Sequence, residues 1–81
     1  MLFKLQRAIE DLRATGNQVE SIDMSLKAST EIIRQSGRVG KTKYLTYFMD
    51  YPVTVHIRDR ADAHILYRSH VGSILLSKLV R

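Results

Sequence analysis

The chain of 81 residues contains no cysteine, and it contains no long run of apolar residues. The absence of cysteine excludes disulfides and thiolate metal sites as ways to brace a small fold. No stretch approaches the roughly 18 apolar residues that a membrane span needs. Charged side chains from Arg7 to Arg13 follow the apolar start at once, which excludes the apolar core of a signal peptide. The sequence therefore predicts a cytoplasmic protein with no membrane partner.

The length of the chain allows one domain, residues 1–81, with no room for a second core. A chain of this size buries only about 60–65% of the surface that its unfolded form exposes, so it is marginally stable alone. Since disulfides and thiolate-bound metals are excluded, association with further copies is the remaining source of stability. We therefore expect a homo-oligomer.

Motifs with a known chemistry are scarce. Residues 37–42, Gly-Arg-Val-Gly-Lys-Thr, resemble a phosphate-binding P-loop, but Gln35 stands where that motif requires its first glycine. The three histidines match no compact spacing of metal ligands; they are His56, His64 and His70. The pattern of acidic residues indicates solvent-facing charges and not an acid–base pair in a pocket. We expect neither an enzyme nor a metal or cofactor site, which leaves a binding protein.

Positive charge is in excess, with 13 Lys and Arg against 8 Asp and Glu, a formal net charge of +5. Between residues 34 and 43 there are cations and no acid: Arg34, Arg38, Lys41 and Lys43. All four tyrosines and Phe48 lie between residues 44 and 67, directly after this run. Cations beside aromatic rings suit a polymer with charged phosphates and stackable bases. The predicted partner is nucleic acid, and RNA is favoured over DNA.

The first third of the chain begins with an amphipathic helix. Residues 2–15 repeat apolar side chains at helical spacing, and Gly16-Asn17 supplies a stop, which predicts an N-terminal helix within residues 1–16. Residues 18–29 are ambiguous, because alternation at Ile22, Met24 and Leu26 favours a strand while a helical face also fits.

The rest of the chain, residues 30–79, is expected to form a small, strongly bent antiparallel sheet or a partly open barrel. Thr and aromatic residues in 42–49 favour a strand, Pro52 breaks that run, and alternation in 53–57 is the clearest strand pattern. Residues 64–69 and 73–79 are expected to be two more strands. The alternative is one long helix over 60–81, although its apolar residues define no stripe. Either arrangement is an α+β fold.

The late segment 67–73, Tyr-Arg-Ser-His-Val-Gly-Ser, resembles the Tyr-Lys-His-Ala-Ile-Ser-Thr segment that joins the fourth and fifth strands of Sm-like RNA-binding proteins of the Hfq type. Residues 48–53, Phe-Met-Asp-Tyr-Pro-Val, are similar to the aspartate and aromatic turn before that family's third strand. The likeness covers roughly residues 30–79. The family's lysine–histidine pair corresponds to Arg68-Ser69, and His70 stands one place later.

The resemblance implies a ring of identical subunits with single-stranded RNA around its pore. Tyr51 would then stack on a base, Arg68 would contact phosphate or a base edge, and His70 would lie at the rim. Unpaired bases offer open faces for such stacking. The implied regulator binds RNA through a basic and aromatic rim.

Two other binding functions fit the sequence. A ribbon-helix-helix-like DNA regulator would use residues 21–26 as its ribbon and 41–51 as its second helix. A structural or antagonist protein would instead dock its basic surface on an acidic protein partner.

Overall fold

The structure, a computed structural model, describes residues 1–37, 45–72 and 74–81. These residues form two α-helices and five β-strands. In chain order the elements are α1 (Leu2–Ala14), β1 (Gln18–Ser25), α2 (Leu26–Gln35), β2 (Tyr47–Phe48), β3 (Tyr51–His56), β4 (Ala63–Arg68) and β5 (Leu75–Val80). Neither helix is long and apolar enough to cross a membrane, for the residues described.

The five strands form one mixed, open sheet in the order β2-β3-β1-β4-β5. The central strand β1 runs parallel to β3 and antiparallel to β4, with Ile22 opposite Val53 on one side and Ile65 on the other. The outer pairs, β2 with β3 and β4 with β5, are antiparallel. The register between β1 and β4 shifts between Val19 and Ser21, so the start of β1 is locally irregular.

One face of the sheet carries the core. Ile22, Met24 and Ile65 on this face are fully buried, and they belong to one cluster with the apolar stripes of both helices: Leu5, Ala8, Ile9 and Leu12 of α1, and Ala28, Ile32 and Ile33 of α2. The opposite face is partly exposed, because β3 alternates half-buried and exposed residues along its whole length. The helices therefore cover a single face.

Ser25 fixes the junction between β1, α2 and the start of β4. Its fully buried hydroxyl accepts hydrogen bonds from the N–H of Ala28 at 3.1 Å and from the N–H of Asp62 at 3.1 Å. Its own N–H donates to the carbonyl of Asp62 at 2.9 Å. The side chain thus caps the N-terminus of α2 and also holds the chain that leads into β4.

Several expectations from the sequence are confirmed. The fold is α+β, the N-terminal helix is α1, and Gly16 ends it with a φ of 84°. The last segments form the antiparallel pair β4 and β5. Residues 18–29, for which strand and helix both fit, are divided between the two, since 18–25 form β1 and 26–29 begin α2. The alternative of one helix over 60–81 is wrong for the described residues, because extended segments occupy 63–68 and 75–80.

Other expectations need correction. Residues 30–35 are the second half of α2 and not part of the sheet, because Ala28, Ile32 and Ile33 share the buried side of a helix that Ser25 caps. The sheet is mixed rather than wholly antiparallel, and it is not closed. A helix between two strands allows their parallel pairing, which a chain of hairpins does not.

Pro52 lies inside β3 and does not end the preceding strand. The reversal comes earlier, at Met49 and Asp50, whose φ angles are 50° and 69°. Pairing of β3 with β1 begins at Val53, so Pro52 stands outside that ladder and its missing N–H is tolerated there.

We expect Ser25→Ala to lower the free energy of unfolding by about 2–3 kcal/mol, since it removes a helix cap and leaves two buried N–H groups without their acceptor. Urea denaturation measures the change. Thr30→Ala, at an exposed position of α2, is the control and should not lower the free energy of unfolding by more than about 0.5 kcal/mol. Equal effects of the two substitutions would contradict the role assigned to the Ser25 hydroxyl.

Candidate nucleic-acid interface

Three of the residues predicted to bind nucleic acid lie at one end of the sheet. Because β3 is parallel to β1 and β4 is antiparallel to it, the starts of β1 and β3 meet the end of β4. Tyr51 begins β3, Arg68 ends β4 opposite Gln18, and His70 follows in the turn toward β5. The topology thus brings together residues that are up to 19 positions apart in the sequence.

A shallow groove of about 460 Å³ lies at this end of the sheet. We call it the end groove, and its lining residues come from the last turn of α1, the α1–β1 turn, β1 and β3: Arg13, Gly16, Asn17, Gln18, Val19 and Tyr51. Arg13 and Gln18 are exposed, while Tyr51 is half-buried and packs against the core. The groove therefore combines a cation, two side-chain amides and an aromatic side chain.

The α1–β1 turn that forms one wall has its shape fixed by hydrogen bonds. Gly16 adopts the left-handed conformation, and the N–H of Asn17 donates to the carbonyl of Leu12 at 3.0 Å. The side-chain amide of Asn17 donates to Thr15 Oγ1 at 2.8 Å. This pattern closes the helix in the manner of a glycine C-cap.

His70 lies against this turn. A Cβ atom at Gly16 would be 3.4 Å from Nδ1 of His70, so the imidazole and the glycine are in close approach. The turn that carries His70 is held by the N–H of Gly72, which donates to the carbonyl of Ser69 at 3.2 Å. His70 itself is exposed. The imidazole is therefore exposed and lies against a glycine that lines the end groove, although His70 itself is not a lining residue.

Arg68 lies beside the end groove on the other face of the sheet. It pairs in register with Gln18 and Leu75, and its Nε is 3.2 Å from Oε1 of Glu20. Tyr51 points to the core face, as Val53 and Val55 do. The ion pair with Glu20 partly neutralises Arg68, so Arg68 is a weaker phosphate ligand than an unpaired arginine.

The remaining predicted cations are elsewhere. Arg34 is exposed on α2 and lines a different surface, together with Lys27 and Glu31 of the same helix and Ala61. Arg38, Lys41 and Lys43 lie outside the described residues. The structure thus places Tyr51, Arg68 and His70 at one end of the sheet, with Arg68 on the opposite face from Tyr51, and it does not place Arg34 there.

Sequence reasoning missed Arg13. The sequence shows Arg13 only as one of the charged residues that follow the apolar start, whereas the structure places it in the last turn of α1, shortly before Gly16. A cation in that position lies at the negative end of the helix dipole and beside any ligand of the following turn. Its place beside the Gly16-Asn17 stop is the signal that could have identified it. The presence of Tyr51 in the same groove as Arg13 has no signal in the sequence, since it depends on the pairing of β1 with β3.

Comparisons with family models, with curated protein sequences and with solved structures find no match to this chain. The chemistry of the end groove is therefore the guide to function. An open groove lined by a cation and an aromatic side chain suits an extended polymer better than a small molecule, which prefers an enclosed pocket. Within the described ranges, no group of three or more potential ligands is placed to hold a metal ion.

We expect Gly16→Ala and Gly37→Ala each to lower the free energy of unfolding by about 1–2 kcal/mol, because both glycines have φ angles in the left-handed region. Gly72→Ala is the matched control, since its φ is not positive and its nearest neighbours would be 3.9 Å from the new Cβ. Thermal and urea denaturation of the three variants provide the comparison. A Gly16→Ala variant as stable as Gly72→Ala would show that the turn beside His70 does not have this conformation.

Proposed function

We propose that the protein is a small nucleic-acid-binding regulator that binds single-stranded RNA, in preference to DNA, at the end groove. The observation that carries the proposal is the meeting of Arg13, Tyr51 and His70 around one turn, in a chain with a net charge of +5. Phosphate attraction supplies most of the affinity of such proteins. Stacking on an aromatic ring adds to it without requiring a base sequence.

Each group at the groove has a role in the proposed complex. Arg13 contacts a phosphate, because it is exposed and, among the described residues, forms no ion pair. The ring of Tyr51 stacks on a base, and His70 contacts the adjacent phosphate or base edge. The side-chain amide of Gln18 is exposed and can bond a base edge or a ribose 2′-hydroxyl, which is the group that distinguishes RNA from DNA.

The cations of residues 34–43 contribute through general attraction in this proposal. Arg34 is exposed on α2, outside the end groove. Together with Arg38, Lys41 and Lys43 of the sequence it raises the positive potential of the protein and so the rate of encounter with a polyanion.

Membership of the Sm-like proteins stays a prediction, as does a cytoplasmic location. An N-terminal helix and five strands fit that family, whereas the parallel pairing of β1 with β3 and the helix α2 between them depart from the expected antiparallel sheet. The ribbon-helix-helix interpretation requires a helix over 41–51. In the described part of that range, 45–51, residues 47–48 and 51 belong to strands and no helix occurs, whereas its ribbon residues 21–25 are extended in β1.

Binding of single-stranded oligonucleotides, measured by fluorescence anisotropy over a range of salt concentrations, tests the phosphate contact. Arg13→Ala should weaken binding and lower the slope of log K against log salt by about 0.7, the contribution of one phosphate contact with a single strand. Arg7→Ala is the matched control, since Arg7 is also an exposed arginine of α1 but does not line the groove. The slope of log K against log salt should fall less in Arg7→Ala than in Arg13→Ala.

Failure of the unsubstituted chain to bind RNA at low salt would overturn the proposal. Capture of an acidic protein that survives nuclease treatment would then favour the alternative function, docking of the basic surface on a protein partner.

The stacking role of Tyr51 is tested with a second pair of variants. Tyr51→Leu should weaken RNA binding by about 5- to 150-fold, which corresponds to the ~1–3 kcal/mol of one stacked base. Tyr51→Phe should retain the affinity, because the ring remains. Tyr47→Leu is the control, as Tyr47 is 63% exposed and does not line the end groove. A loss of affinity in Tyr47→Leu and none in Tyr51→Leu would place the stacking site at β2 instead.

A further inference from the structure

Among the described residues, β5 is an edge strand of the sheet, and a single lysine is its one protective feature. Within the described residues it pairs only with β4, so one row of its backbone N–H and C=O groups is unpaired. The strand has six residues, contains no proline, and carries one charged side chain, Lys78. Natural proteins usually shorten, bend or charge such edges to prevent association. The other edge, β2, is protected in this way, since it has only two residues.

Apolar side chains are exposed on both faces of this edge. Leu75 and Leu79 are 46% and 42% exposed on the open face of the sheet, and Leu76 is 42% exposed on the core face. Ile74, just before the strand, is 71% exposed. Leu66 of β4 is half-buried beside them on the open face, opposite Ser77. The strand thus joins unpaired backbone groups to a contiguous apolar surface.

We propose that β5 pairs antiparallel with β5 of a second copy of this chain, about a two-fold axis at Ser77. Such an axis places Ser77 opposite itself and Leu75 opposite Leu79 of the second copy. Both Leu75–Leu79 contacts fall on the open face, where they flank the small serine pair. On the core face, Lys78 lies opposite Leu76 and the two lysines stay apart. This inference does not depend on the proposed function.

The sequence of β5 favours a second copy of this chain as its pairing partner and Ser77 as the position of the two-fold axis. An axis at Lys78 would put two like charges directly opposite each other, which destabilises a strand pair. The axis at Ser77 pairs all of residues 75–79 with each other, so the strand is complementary to itself. Pairing of β5 with β2 of another copy, as a ring requires, would offer only the two residues of β2. The expected assembly is therefore a two-fold dimer with one ten-stranded sheet.

The oligomeric state of the nuclease-treated protein at micromolar concentration, measured by sedimentation equilibrium, tests this interface. We expect a dimer for the unsubstituted chain. The double variant Leu75→Lys with Leu79→Lys places lysines opposite each other and should be monomeric. The double variant Leu75→Glu with Leu79→Lys changes the same two positions but places opposite charges across the axis, so it should remain a dimer. Circular dichroism checks that both variants are folded.

Ile57→Lys is the matched control, because Ile57 is 90% exposed and lies outside β5; it should leave the dimer intact. A monomeric unsubstituted chain, or a closed ring of more than two copies, would overturn the proposal. A dimeric Leu75→Lys with Leu79→Lys variant would also overturn the proposal, since the interface would then lie elsewhere. If the double variant Leu75→Glu with Leu79→Lys were monomeric to the same extent as Leu75→Lys with Leu79→Lys, the axis would not lie at Ser77.

Discussion

The pairing of β1 on both of its sides is the constraint on which the rest of the structure depends. Ile22 and Met24 are fully buried in this strand, and each has a partner on β3 and on β4. The strand therefore supplies both the centre of the core and the centre of the hydrogen-bonded ladder. Loss of either neighbour would expose apolar side chains and unpaired backbone groups together. The helices pack on the surface that this strand organises.

The end groove is a consequence of the same arrangement. Since β1 and β3 start at one end and β4 finishes there, turns that are distant in the chain become neighbours. Gly16 permits the close approach of His70, and the short α1–β1 turn keeps Arg13 beside Tyr51. The cation thus lies in the last turn of a helix, the aromatic ring at the start of a strand and the imidazole on a turn, all at one end of the sheet. In the proposed two-fold dimer the two grooves would lie at opposite ends of the sheet.

Local signals in the sequence were sufficient for much of the fold. The spacing of Leu5, Ile9 and Leu12 predicts α1, and the alternation around Val53 and Val55 predicts β3, because burial on one side of an element leaves a period in the sequence. The helix α2 was missed, since Ile32-Ile33 has the β-branched composition of a strand. Its cap, Ser25, is also the last residue of β1, so the strand pattern runs directly into the start of the helix. The sequence also does not predict the parallel pairing of β1 with β3, because no local pattern of residues indicates which strands pair.

The candidate site was predictable only in part. Tyr51, Arg68 and His70 have suitable chemistry for nucleic acid, and that much follows from residue type. The distances between these three side chains depend on the order of the strands, and no sequence pattern indicates that order. The role assigned to Arg13 and the lesser role of Arg68 both follow from contacts, namely the end groove and the ion pair with Glu20.

The most direct test of the central claim is an NMR titration of the ¹⁵N-labelled protein with single-stranded RNA. Our account predicts that amide shifts change first and most at residues 13–19, 51 and 68–70, and little along the exposed side of α2. Absence of shifts at low salt, or shifts confined to surfaces away from the end groove, would contradict it.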